Sequence, residues 1–175
     1  MGEYVYPVSI KLESKVAFSG TKRKLPDPVI EFTFKEAKKA KLTLNMLIPG
    51  WSKKIEVYVN DQQQVINATP GSYLSLQRVW KNNDKIRLVF HYDFYLKPMP
   101  DDENVFAIFY GPVMLAAETA AEFILKGRKD DILRNITPTG DNTFRLINGG
   151  KTFVLRPLSD INQQSYGVYA TIRNY

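Results

Sequence analysis

One histidine, no cysteine and a few carboxylates are what this 175-residue chain offers for chemistry. His91 lies between Phe90 and Tyr92 in an alternating stretch, and Asp93, two positions on, shares its face. Such a pair can move a proton, yet no Ser, Cys or metal partner accompanies it, so an exposed strand-face pair is the simpler reading. Asp101, Asp102, Glu103 and Glu118 flank an apolar run, and two carboxylates roughly 5–10 Å apart are what glycoside hydrolysis usually needs. Three of these four sit in the polar loop 97–104, where solvation rather than pKa tuning is expected. Glu118 reads as the polar end of a buried strand. No catalytic residue is expected. Trp51, after Ile48-Pro49-Gly50, and Trp80, before Lys81-Asn82-Asn83-Asp84, are candidate sugar or interface contacts; aromatics at strand ends also serve as core lids.

The missing cysteines exclude disulfides, thiolate metal sites and a Cys nucleophile, and one histidine cannot build a multi-histidine metal cluster. GxGxxG, GxxxxGK[ST], HExxH and GxSxG are absent. No cofactor or metal is therefore expected. The net charge of +6 is concentrated in residues 1–60, in clusters such as Lys22-Arg23-Lys24 and Lys35, Lys38, Lys39 and Lys41. Without interleaved aromatics these read as solvated rims, not as a nucleic-acid surface.

Period-two alternation organises the elements. Ile30, Phe32 and Phe34; Leu42, Leu44 and Met46; Ile55, Val57 and Val59; and Ile86, Leu88 and Phe90 each alternate with polar neighbours, as half-buried strands do. Pro49-Gly50, Asn60-Asp61, Pro70-Gly71 and Asn82-Asn83-Asp84 supply turns between them. Strands at close spacing without long helical periods predict an all-β, antiparallel, jelly-roll-like sandwich. The run Val105–Ala117 is apolar on both faces, too long for a surface strand and too short for a membrane span. Pro112 cannot donate to a ladder, so one strand becomes two at Gly111-Pro112, bending there. Ala116 to Lys126 has helical propensity, as has the shorter stretch Lys35 to Lys41.

After residue 118 the texture changes. Strands are expected near 133–137, 143–147, 152–156 and 166–173, with Asn148-Gly149 as a hairpin turn. The expected division is a β-sandwich domain at 1–118 and a C-terminal β extension at 119–175, packed on the sandwich or on an absent domain. No membrane span and no secretory signal pattern is present in the sequence, which leaves localisation open. Met1-Gly2 leading into Tyr4-Val5-Tyr6-Pro7 reads as a piece cut from a longer protein.

Several motifs recur in an order that resembles one family: Leu47-Ile48-Pro49-Gly50-Trp51, Val57-Tyr58-Val59-Asn60, Gly71-Ser72-Tyr73-Leu74-Ser75-Leu76, Trp80 to Ile86, Met99-Pro100-Asp101 and Phe109-Tyr110-Gly111-Pro112-Val113-Met114-Leu115-Ala116. Over residues 42–118 the chain is similar to the C-terminal β-sandwich region of glycoside hydrolase family 127, the β-L-arabinofuranosidase-like proteins also called domain of unknown function 1680. The tail around Leu155-Arg156-Pro157-Leu158 and Tyr166-Gly167-Val168-Tyr169 resembles the second β-region of that family. Ser159 and Ser165 stand where relatives have an aromatic residue and an Arg.

The resemblance implies that catalysis belongs to a helical barrel with a Cys-rich zinc site, which this chain lacks. It implies a non-catalytic accessory role beside that barrel, no enzyme activity in this chain alone, a possible homodimer, and a parent glycoside hydrolase that is periplasmic or secreted. The alternative is an autonomous carbohydrate-binding module using Trp51, Trp80 or surface tyrosines.

Overall fold

A computed structural model describes residues 11–19, 27–35, 40–67, 69–140 and 142–173. The chain folds as two compact units, which among the described residues comprise 11–19 with 27–91, and 92–173.

The first unit is a β-sandwich. Strands β1 (Lys11–Ser19), β2 (Asp27–Lys35), β4 (Ile55–Val59), β5 (Gln62–Gln63) and β7 (Lys85–Phe90) form an antiparallel sheet in the order β1-β2-β7-β4-β5. Strands β3 (Ala40–Leu47) and β6 (Tyr73–Trp80) pair separately as a ribbon, in register from Ala40 opposite Trp80 to Leu47 opposite Tyr73. The alternation in sequence becomes the inward face of each layer. Val57, Val59, Ile86, Leu88 and Phe90 from the sheet and Leu74 and Trp80 from the ribbon are buried in one cluster, against which Leu42, Leu44, Met46 and Leu76 pack.

Turn chemistry fixes the register. Asn60 and Asp61, both at positive φ, close the tight β4–β5 turn as a primed hairpin demands. The Asn60 side chain then reaches the connection from β6 to β7: its Oδ1 accepts from the Lys85 N–H at 2.8 Å and its Nδ2 donates to Asp84 Oδ1 at 2.9 Å.

The second unit is one large sheet around its own core. Its strands are β8 (Phe94–Pro98), β9 (Val105–Tyr110), β10 (Val113–Glu118), β11 (Ile124–Lys126), β12 (Ile136–Gly140), β13 (Thr143–Asn148), β14 (Lys151–Pro157), β15 (Tyr166–Gly167) and β16 (Tyr169–Arg173). The order is β11-β16-β9-β10-β14-β13-β12, with β8 beside β9 and β15 beside β10. Among the described strands only β11 and β16 run parallel. Leu125 at one end and Ile136 at the other bury in the same cluster as Phe106, Leu115, Leu146 and Leu155, so the sheet curves around a common centre. The short helix α1 (Lys129–Arg134) adds the fully buried Ile132 to that centre.

The sequence expectation of an all-β sandwich with antiparallel pairing holds. Several details differ. Gly111-Pro112 does not bend a continuing strand; it reverses the chain, and Tyr110 pairs with Val113 across a two-residue turn. Gly111 has φ +56, the left-handed value such a turn needs at its first position. The apolar run is therefore a hairpin at the middle of the second unit's sheet. Residues after 118 do not form a separate extension: β10 pairs directly with β14, Leu115 opposite Pro157, and the compact units part between His91 and Tyr92 rather than at 118. The helical expectation for 116–126 gives way to strand, because Ala116 and Ala117 are fully buried in the β10 ladder and burial outweighs a propensity of a few tenths of a kcal/mol. The helix falls instead at 129–134, across the stretch expected to begin a strand at 133. Residues 36–39 of the other helix-permissive stretch lie outside the described residues.

The β13–β14 turn is Gly149-Gly150, one residue later than expected, both at positive φ. Asn148 is thereby released for another task. Its Oδ1 accepts from the Lys126 N–H at 2.7 Å and its Nδ2 donates to the Lys126 carbonyl at 2.9 Å, so one buried amide imitates a strand partner for β11. Asn148→Asp keeps the acceptor and removes the donor, leaving the Lys126 carbonyl without this partner. A loss of about 1–3 kcal/mol is expected in urea denaturation, against under about 0.5 kcal/mol for the exposed Lys151→Gln.

Candidate functional site

The outward face of the first unit's sheet gathers its polar side chains. Because Val57 and Val59 point inward, Glu56 and Tyr58 on β4 point outward, beside Arg87 of β7 and His91 just beyond it. The pairing of Tyr58 with Arg87 puts the guanidinium 4.0 Å from the centre of the phenol ring, a cation–π contact. The Glu56 carboxylate accepts from Tyr58 Oη at 2.6 Å and from His91 Nε2 at 3.0 Å, with Lys54 Nζ at 3.8 Å. An ionised carboxylate only accepts, so His91 Nε2 carries the proton in this arrangement.

A partner of His91 is thus Glu56, 35 residues away, beyond the sequence-local Asp93 considered first. Asp93 uses Oδ1 to accept from the Phe94 N–H at 2.9 Å, as a local turn residue does.

The phenol hydrogen bond, with the imidazole bond second, holds the Glu56 carboxyl below its ordinary 4.5. The same bond raises the Tyr58 phenol above 10.0. A carboxylate held ionised is a poor general acid near neutrality, and a phenol held protonated is a poor base. The cluster is suited to clasping β4 to the end of β7, not to proton transfer. Its acid dependence follows in sign. A depressed folded pKa contributes stability above the unfolded value, near 4.5, which is lost as pH falls through the folded value. Glu56→Gln should therefore lower the urea midpoint at pH 6–7, and the gap to the parent should narrow as pH falls below 4.5. A gap that does not change with pH would contradict the assignment.

The two tryptophans separate. Trp80 is fully buried: it stacks on Phe34 with centroids 4.5 Å apart and planes 13° from parallel, and Nε1 donates to the Leu42 carbonyl at 3.2 Å. An indole without exposed surface offers no sugar platform, so Trp80 is a core residue. Trp51 is half-buried at the end of β3, its ring 5.9 Å from Phe90. It retains part of its surface for a ligand or partner.

The carboxylates of the 101–103 loop are exposed, and Asp102 Oδ1 caps the Asn104 N–H at 2.8 Å. Glu118 pairs with Arg156 of β14, whose Nη1 also donates to Thr143 Oγ1 at 3.1 Å, a bridge across β10, β14 and β13. Lys22-Arg23-Lys24, Lys38 and Lys39 lie outside the described residues, and Lys41 is exposed. Among the described residues no group of three or more His, Asp or Glu side chains is placed to hold a metal, and no helix is long and apolar enough to cross a membrane. Sequence reasoning missed Glu56 as a partner of His91 and Tyr58 as the second donor to Glu56. Their alternation already marked them as outward-facing; the strand pairing that brings them to the histidine was not legible.

Comparison with known proteins matches this architecture. Residues 7–92 fit the family model described as β-L-arabinofuranosidase, GH127 middle domain. No curated protein matches the sequence. Among solved structures, one described as a glycoside hydrolase shares 18% identity over 83% of this chain and 30% of its own, with a TM-score of 0.62. A GH127 β-L-arabinofuranosidase from Geobacillus stearothermophilus T6 shares 16% over 97% of this chain and 33% of its own, TM-score 0.60. A GH127 β-arabinofuranosidase shares 18% over 94% of this chain and 32% of its own, TM-score 0.58. At these identities the likeness is one of fold, and the chain spans about a third of the length of those structures. The matched stretch ends one residue past the first compact unit and leaves the Tyr110-Gly111-Pro112 motif outside it. The resemblance expected from the ordered motifs holds, and the family description gives this sandwich as a middle domain. The first unit of this chain is a GH127 middle domain.

Proposed function

We propose that this chain is the non-catalytic accessory β portion of a β-L-arabinofuranosidase-like glycoside hydrolase, supporting a helical-barrel catalytic domain. The observation that carries the reading is the coincidence of two boundaries: the family match stops at residue 92, and the first compact unit stops at His91. A module so delimited, within a chain about a third as long as the solved enzymes it resembles, is a component beside a larger catalytic part. The chemistry of the chain agrees. It has no cysteine with which to furnish a thiolate zinc site, and its best-organised polar cluster holds Glu56 ionised in a clasp. The purified chain should release no arabinose from aryl β-L-arabinofuranosides at any pH between 4 and 8. Release that disappears with a point substitution in the chain would overturn the proposal.

A second reading, a carbohydrate-binding module, is favoured by the half-exposed Trp51 alone. Calorimetric titration with arabinan and xylan separates it: heat of binding abolished by Trp51→Ala supports a module, and its absence leaves the supporting role.

A further inference from the structure

The turn that joins β13 to β14 begins at a chemically labile pair. Asn148 is the single asparagine of the chain followed by glycine; each of the others precedes a residue with a side chain. With no Cβ to hinder it, a glycine nitrogen reaches the preceding side-chain amide more easily than any other backbone nitrogen does. In an opened chain the Gly149 nitrogen attacks Asn148 Cγ: the N–Cγ bond forms, the Cγ–Nδ2 bond breaks, and ammonia leaves with the proton from the glycine nitrogen. Water then opens the resulting succinimide. Adding at the side-chain carbonyl it gives aspartate; adding at the main-chain carbonyl it gives isoaspartate, whose main chain runs through the extra methylene.

The folded second unit closes this route in three ways. Asn148 ends β13 in the ladder, opposite Lys151, so its ψ is that of a strand, which keeps the side-chain amide off the following nitrogen. Its Oδ1 and Nδ2 are both committed to Lys126, at 2.7 and 2.9 Å, so turning Cγ onto Gly149 breaks two hydrogen bonds. The residue is also buried, away from the water that the second step consumes. Both side-chain bonds lead to one element. Lys126 ends β11, a three-residue strand at the rim of the sheet that pairs with β16 on its other side. The protection of Asn148 therefore lasts as long as β11 stays docked.

We infer that Asn148-Gly149 is a covalent modification site controlled by β11: closed to succinimide formation while β11 is docked, open when β11 detaches, and unable to close again once converted. Short strands at the rim of a sheet open more often than its centre, because fewer bonds and contacts hold them. Conversion then works against re-docking. Aspartate keeps the acceptor for the Lys126 N–H but loses the donor to the Lys126 carbonyl. Isoaspartate adds a main-chain carbon beside a two-residue turn and displaces the pairing of Asn148 with Lys151. Either product weakens the contact that protected the parent residue, so each opening carries a chance of permanent loss.

The test is peptide mass mapping of the full chain after incubation in mildly alkaline buffer, with and without urea, beside hydrogen exchange of the Lys126 N–H. In urea Asn148 should be the first asparagine to convert, with isoaspartate in excess over aspartate. In buffer its conversion should be at least about a hundredfold slower, and that protection should match the protection of the Lys126 N–H, whose acceptor is Asn148 Oδ1 itself, to within about tenfold. Converted chains should refold with a lower urea midpoint for the second unit. Leu125→Ala, which removes the buried anchor of β11, should raise both rates by the same factor. A smaller protection in buffer, a protection outside that range of the Lys126 value, another asparagine converting first, or converted chains that recover the parent midpoint would each overturn the assignment. Should Leu125→Ala fail to fold, the comparison on the unsubstituted chain decides alone.

Discussion

Gly111→Ala is expected to destabilise the second unit by about 2–5 kcal/mol, from two causes that add. The first is backbone: φ at Gly111 is +56, where an L side chain costs on the order of 1–2 kcal/mol. The second is space, because a Cβ at this position would stand 2.4 Å from a ring carbon of Tyr92 and 2.8 Å from two more. That ring is held edge-on to Tyr110 with centroids 5.4 Å apart, so it cannot swing away without breaking the packing beside the turn. Gly150→Ala is the nearer control: its φ is +76, and a Cβ there meets nothing within 4 Å. It should show the backbone cost without the clash. A Tyr92→Ala background should recover the steric part of the Gly111 loss, and a double-mutant cycle read by far-UV circular dichroism in urea measures it. Equal losses for Gly111→Ala and Gly150→Ala would remove the close approach from the explanation. The Tyr-Gly-Pro motif, first met as a sequence marker, thus has a structural cause: a hairpin turn against which an aromatic ring is packed.

Trp80→Ala should cost the first unit about 3–5 kcal/mol, the usual range for deleting a buried aromatic. The indole is fully buried, loses its stacking on Phe34 and vacates the centre of the sandwich between ribbon and sheet. Trp80→Phe keeps a stacked ring and forfeits the bond to the Leu42 carbonyl, so a loss of about 1–3 kcal/mol is expected. Readout is convenient, since both tryptophans of the chain lie in the first unit and Trp51 remains to report its unfolding by fluorescence. A Trp80→Ala variant as stable as the parent but deficient in sugar binding would restore the surface role that the sequence allowed.

These two positions show where sequence reading succeeds and stops. The alternation of Val57 and Val59 with Glu56 and Tyr58 marks inward and outward faces correctly, because side-chain direction along a strand has a fixed period of two. Asn60-Asp61 was legible as a turn, because those residues tolerate left-handed backbone. Trp80 was not legible as core. A tryptophan at a strand end has the same local pattern whether a facing layer covers it or solvent does, and the layer here includes Phe34, from a distant strand. His91 failed in the same way: its neighbour in sequence offered Asp93, while strand pairing delivered Glu56.

The sequence by itself determined an all-β chain, the polarity of its strand faces, most of its turns, its lack of thiolate chemistry and its likeness to GH127 proteins. These follow from residue types and from spacings of a few residues. Tertiary structure decided the division at His91 and Tyr92, the union of the apolar hairpin with the strands after 118, the burial of Trp80 and the pairing of Asn148 with Lys126. Each depends on which strands meet across tens of residues. That choice is made by the summed burial of whole faces, which no local window contains.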